Sequence, residues 1–209
     1  MSPIFTYVEG IHFVSCLQLV DQNIRQRQKD EANVRWIVIG IHDALYALLI
    51  EKLTQTDGFG IFKDAFEKEV AEFYRAGLDS RSSEFRELNN KSLNQSIAGL
   101  GILLKRAALP SGAAIPRDTT GELPSPTRGL VRIKEMRDYF SHPRPMLAGY
   151  YEDFLLDALR DTVEVVKEAI NLPGNLSTRH DPREAQILLE SIEYYLCKWD
   201  WESRRKNDV

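Results

Sequence analysis

Three residues in the segment MRDYFSHPRP (136–145) have side chains suited to chemistry on a phosphodiester: Arg137, Asp138 and His142. A guanidinium can bind phosphate through two parallel hydrogen bonds, and an imidazole can transfer protons near neutral pH. A neighbouring carboxylate can hold that imidazole in one tautomer. RNA carries its own nucleophile, the 2′-hydroxyl, so its cleavage needs only a base, an acid and neutralisation of the phosphate charge. The residue types therefore indicate RNA cleavage without a metal ion or another cofactor.

The spacing of these residues on a helix determines which of them can meet. Successive residues of an ideal helix are about 100° apart, so His142 lies beside Asp138, four residues earlier. Asp138 is then expected between Arg137 and His142. Arg137 and His142 themselves are about 140° apart, so one copy of the helix directs them poorly at one phosphate. The packed face of this helix is predicted to consist of Leu130, Ile133, Met136 and Phe140.

A structural explanation of the same residues stays open. An Arg beside an Asp at a helix end is commonly a solvated ion pair, and a His before a Pro commonly marks a helix end. A second Arg and His pair, Arg35 and His42, occurs elsewhere in the chain at a comparable spacing. Spacing alone therefore does not separate catalysis from structure.

Other polar residues are interpreted mainly as structural. His42 and Asp43 lie in the most apolar part of the chain, where mutual hydrogen bonding is the leading interpretation, although the pair could also line a groove beside the helix of Arg137. His12 and His180 look isolated, and no His or Cys spacing resembles a zinc site, so no metal is predicted. The segment 194–208 mixes aromatic and basic residues that could bind bases, but a buried Trp199 followed by a charged terminus is favoured.

Apolar residues recur at the three- and four-residue spacing of a helix along the whole chain, which predicts an all-α protein. We expect one domain over residues 1–209, a bundle of six or seven helices. Its Pro- and Gly-rich segment 109–126 is predicted to be a long loop that gates a site, binds a partner or is disordered. The predicted helical stretches cover residues 12–29, 31–54, 61–75, 82–108, 125–142 (with Ser125 as the cap and Pro126 in the first turn), 150–171 and 181–203 (capped by Asp181).

Composition points to a cytoplasmic protein. The net charge is −4, which argues against a protein that coats nucleic acid but allows a local basic groove. Cys16 and Cys197 lie in apolar helical patterns, as expected for a reducing compartment. The first residues lack the order of a signal peptide, and charged residues interrupt the apolar run 34–50, so no membrane span is predicted.

The segment from Arg137 to His142 resembles the Arg-x(4–6)-His motif of the HEPN (higher eukaryotes and prokaryotes nucleotide-binding) superfamily. In that motif the residue after Arg is typically Asn, Asp or His, a preference that Asp138 meets and that Trp36, after Arg35, does not. The stretch RWIVIGIHDALYALLIEKL, followed by TDG, is similar to the second helix and turn of a bacterial HEPN-like group. The resemblance covers about residues 30–170 and depends mostly on the motif.

The resemblance implies a function, a site and partners. Many HEPN members are metal-independent ribonucleases of toxin–antitoxin, abortive-infection and CRISPR-linked defence systems, and they act as dimers whose two motifs face each other. Carried over, Arg137 and His142 would be catalytic and Asp138 would assist. The expected partners are RNA, a second copy of the chain, and an antitoxin or a larger defence-system subunit.

The resemblance also leaves a second function open. Asp138 stands where the family more commonly has Asn. Some HEPN domains have lost activity and serve only to dimerise or bind. The alternative hypothesis is therefore a non-catalytic HEPN-like module that docks onto a larger effector protein or nucleic acid.

Overall fold

A computed structural model describes residues 9–30, 32–54, 58–77, 79, 81–116, 119, 121–141, 151–173 and 182–207. Within these ranges the chain is all-α, and its only β pairing is an isolated bridge between Phe62 and Ile97. None of the described helices is both long and apolar enough to cross a membrane. The helices are α1 (Glu9–Gln26), α2 (Ala32–Leu53), α3 (Asp64–Arg75), α4 (Ser83–Ser92), α5 (Leu100–Ala107), α6 (Thr127–Ser141), α7 (Glu152–Ile170) and α8 (Pro182–Asn207).

The described ranges contain eight helices, so the expected six or seven is wrong. The difference arises at residues 82–108, which form α4 and α5 rather than one stretch. Between them the chain runs beside the segment that precedes α3, and the Ala98 amide donates to the Ile61 carbonyl at 2.8 Å. Gly99 then begins α5 from an extended conformation. Local periodicity cannot reveal this break, because the pairing partner is more than 30 residues away in the chain.

The second helix lies at the centre of the bundle, as its all-round apolarity predicts. It contacts α1, α5, α6 and α7. Gly40 marks the closest approach of α1, since a Cβ there would lie 2.8 Å from Cγ2 of Val20. Polar groups on α2 find partners on α2 itself, as His42 does with Asp43, or on backbone packed against it, as Tyr46 does with the Ala98 carbonyl.

The sixth helix packs its predicted face against α2 and α7. Leu130, Ile133 and Met136 are buried, and Phe140 packs partly buried against the same core. The Ser125 hydroxyl donates to Oδ1 of Asp161 on α7, and α6 starts one residue later than the expected first helical residue, Pro126. Helix α6 thus begins at Thr127 and ends at Ser141, with the opposite face left for polar residues.

The structure also describes parts of the predicted 109–126 loop and the end of the C-terminal helix. The described parts of the 109–126 loop lie against the bundle, with Leu109 and Ala113 buried and Ser111 bound to Glu168. The C-terminal helix extends to Asn207, beyond the expected end at 203. The proposed cap of this helix, Asp181, lies outside the described residues.

Trp199 on α8 belongs to the core, as the favoured interpretation of the C-terminal segment predicts. Its side chain is only 3% exposed, and its indole N–H donates to Glu152 at the start of α7. The guanidinium of Arg27 on α1 lies over its ring at 4.3 Å. Trp199 therefore joins α1, α7 and α8 and is not available to stack on a base.

Candidate functional site

Arg137 lies near the C-terminal end of α6, with 34% of its side chain exposed. Nη1 lies 3.3 Å from Oδ1 of Asp138, and Nε lies 3.7 Å from Oδ1 of Asp43 on α2. Nε is buried and has no hydrogen-bond partner among the described residues. Carboxylates from two helices therefore hold the guanidinium, and the solvent-exposed part of the side chain does not include Nε.

Asp138 binds two cations of its own helix. Its Oδ1 faces Arg137, and its Oδ2 accepts a hydrogen bond from Nζ of Lys134 at 2.9 Å. Partial burial raises the pKa of Asp138, but the hydrogen bonds and charges of Lys134 and Arg137 together lower it more, so the net pKa lies below the ordinary value. Asp138 is thus a carboxylate at neutral pH. The expected contact with His142 lies outside the described residues.

Lys134 is a member of the site that the sequence predictions omit. It stands four residues before Asp138, a spacing at which side chains on a helix are neighbours. The signal for this contact in the sequence is a cation four residues before an acid on a predicted helix. The structure adds a second positive charge beside Arg137.

The pair of His42 and Asp43 meets the same site from α2. Nδ1 of His42 lies 2.8 Å from Oδ1 of Asp43, and this same oxygen faces Arg137. His42 is buried and stacks on Tyr46 with ring centroids 6.5 Å apart. The structural interpretation of the pair is confirmed, and so is its expected position beside the helix of Arg137. Asp43 links a buried histidine to the partly exposed arginine.

Arg35 of the competing pair occupies a different environment. Its guanidinium lies 5.3 Å from the ring centroid of Trp36, the residue next to it. Its Nε is buried without a hydrogen-bond partner in the described part of the chain. The described contacts give Arg35 no carboxylate partner comparable to those of Arg137.

The chemistry available at this site is phosphate binding by an oriented guanidinium. The 3.3 Å between Nη1 of Arg137 and Asp138 is longer than the roughly 2.7–2.9 Å of a charge-assisted hydrogen bond, so a phosphate can compete with Asp138 for this nitrogen. Comparison of the chain with protein-family models, with curated proteins and with solved structures found no match. The residues themselves therefore carry the functional argument.

Proposed function

We propose that this chain is a metal-independent endoribonuclease of the HEPN type, acting in a bacterial toxin–antitoxin or anti-phage defence system. Arg137 binds and neutralises the scissile phosphate, His142 transfers protons, and Asp138 orients the pair. The observation that carries the proposal is the state of Arg137: partly exposed, oriented from two helices, and bound to neither carboxylate at a short distance.

Orientation of Arg137 is what a catalyst of this kind needs. A guanidinium whose direction is fixed before substrate binds stabilises the charge of the transition state without reorganising during the reaction. Asp43 and Asp138 supply that restraint from α2 and α6. His142 directly follows Ser141, the last residue of α6, where the negative end of the helix dipole favours an imidazolium.

A homodimer completes the proposed site. Arg137 and His142 are separated by about 140° on a continued helix, so a single copy presents them in different directions. Two copies related by a two-fold axis can contribute one group each to a single phosphate. RNA is then the substrate, and an antitoxin or a larger defence-system subunit is the regulating partner.

Replacing Arg137 with alanine tests the proposed phosphate contact. We expect Arg137→Ala to lower the single-turnover rate of RNA cleavage by about 100-fold, the usual loss when one stabilising donor is removed. Arg137→Lys should restore only part of that rate, since an ammonium lacks the bidentate geometry.

Arg35→Ala is the matched control, because Arg35 belongs to the competing Arg and His pair. It should cleave at the wild-type rate. An equal loss in both variants, or no loss in Arg137→Ala, would show that Arg137 has no special role in cleavage.

A second function is favoured by one observation at the same site. Two carboxylates face Arg137, and its Nε is buried, as in a purely structural ion pair. The corresponding proposal is a non-catalytic HEPN-like module that binds a larger effector protein or nucleic acid. Binding of RNA without any cleavage, unchanged in His142→Ala, is the result that distinguishes this function from the first.

A further inference from the structure

Helix α8 carries an exposed apolar line on its outer side. Ile187, Tyr194 and Trp201 are exposed by 65%, 64% and 56%, which is unusual for side chains of this size. They are spaced by seven residues, so neighbouring members are offset by about 20° around the helix and the two end members by about 40°. We call these three residues the outer stripe.

The two flanks of α8 are already engaged inside the molecule. On one flank Ser191 donates to Asp21 of α1, at 2.6 Å. On the other flank Asp200 pairs with Arg160 of α7, at 3.0 Å. Helix α8 is therefore fixed in rotation, and the outer stripe faces away from the described bundle.

Charges beside the outer stripe make it complementary to itself. We propose that the outer stripe binds a second copy of this chain, with the two α8 helices antiparallel about a two-fold axis at Tyr194. In that arrangement Ile187 and Trp201 lie at the same level of the helix pair. Glu190 and Lys198 also lie at the same level, four residues on either side of Tyr194.

Other arrangements and partners fit the charges less well. A parallel pair would place Glu190 beside Glu190 and Lys198 beside Lys198. The antiparallel pair meets like charges only at its ends, where Arg183 comes level with Arg205, whose guanidinium lies 4.4 Å from the ring centroid of Trp201. A nucleic-acid backbone or an anionic membrane binds best to a helix face that carries only basic residues. The acidic Glu190 beside the outer stripe disfavours both of these partners.

The contact is separate from the site of Arg137. Helix α8 packs on α1 and α7, whereas α6 packs on α2 and α7. The inference therefore does not depend on RNA cleavage. Three apolar side chains from each copy make an interface below about 1,200 Å², in the range of weak association, so we expect this contact to form in a concentration-dependent way, independently of the dimer proposed around α6.

Sedimentation velocity over a series of concentrations tests the apolar part of the contact. Trp201→Glu should weaken self-association at least tenfold while the helical circular dichroism and the melting temperature stay unchanged. Trp36→Glu is the matched control, because Trp36 is 44% exposed but lies on α2, and it should associate like the wild type. Self-association of Trp201→Glu equal to that of the wild type would overturn the proposal, and it would leave the homodimer proposed for RNA cleavage unaffected, because that dimer forms around the end of α6.

A charge exchange tests the antiparallel register independently. Glu190→Lys and Lys198→Glu should each weaken the dimer, since each places like charges at one level of the pair. The double variant should restore wild-type association, because both charges then meet an opposite charge again. These two residues lie eight positions apart on one helix, too far to compensate each other within one copy. Single variants without effect, or a double variant without recovery, would exclude this register.

Discussion

His142→Ala should abolish RNA cleavage while the fold stays intact. General acid–base catalysis by one histidine contributes about 10²–10⁴-fold to a rate, so the loss should be at least 100-fold. The residue follows Ser141, the last residue of α6, and the buried face of that helix is formed by other residues, among them Ile133 and Met136. The measurement is the single-turnover cleavage rate of a labelled RNA, together with the melting temperature of each variant.

His180→Ala is the matched control for this experiment, since the sequence places His180 in a loop without a catalytic neighbour. Its cleavage rate should equal that of the wild type. Undiminished cleavage by His142→Ala would reject the assignment of His142, and a parallel loss in His180→Ala would point to a general effect of removing histidine.

Trp199→Ala should cause the largest loss of stability among single substitutions on α8. Replacing a buried Trp with Ala costs about 3–5 kcal/mol through lost transfer free energy and the cavity left behind. At this site the change also removes the hydrogen bond to Glu152 and the surface on which Arg27 stacks. Each kcal/mol lowers the melting temperature of a domain of this size by about 2–4 °C, so a decrease of at least 6 °C is expected.

Trp36→Ala serves as the comparison for Trp199→Ala, because Trp36 is 44% exposed. Its free energy of unfolding, measured by urea denaturation, should stay within about 0.5 kcal/mol of wild type. Equal losses in the two variants would contradict the assignment of Trp199 to the core.

The sequence predicts those parts of the fold that depend on local periodicity. Helix α2 is apolar all round because four helices surround it, and the buried face of α6 was readable from the spacing of Leu130, Ile133 and Met136. The break between α4 and α5 was not readable. It depends on Ala98 pairing with Ile61, a contact between segments far apart in the chain.

In the candidate site, too, contacts within one helix could be predicted from the sequence, whereas contacts between helices could not. Arg137 and Asp138 are neighbours in the sequence, so their contact could be expected from the helix alone. The approach of Asp43 could only be raised as a possibility, since it requires α2 and α6 to pack in one particular register. Lys134 could have been found, because a cation four residues before an acid on a helix pairs with it without any tertiary contact.

The central claim is that Arg137 and His142 cleave RNA without a metal ion, and the chemistry of the product ends tests it most directly. The purified full chain is incubated with RNA in EDTA, and the ends of the fragments are analysed. Attack by the 2′-hydroxyl on its own phosphate breaks the bond to the 5′-oxygen, so the account predicts 2′,3′-cyclic phosphate and 5′-hydroxyl ends. Cleavage that requires a divalent ion and leaves 3′-hydroxyl ends, or intact RNA under all conditions, would contradict it.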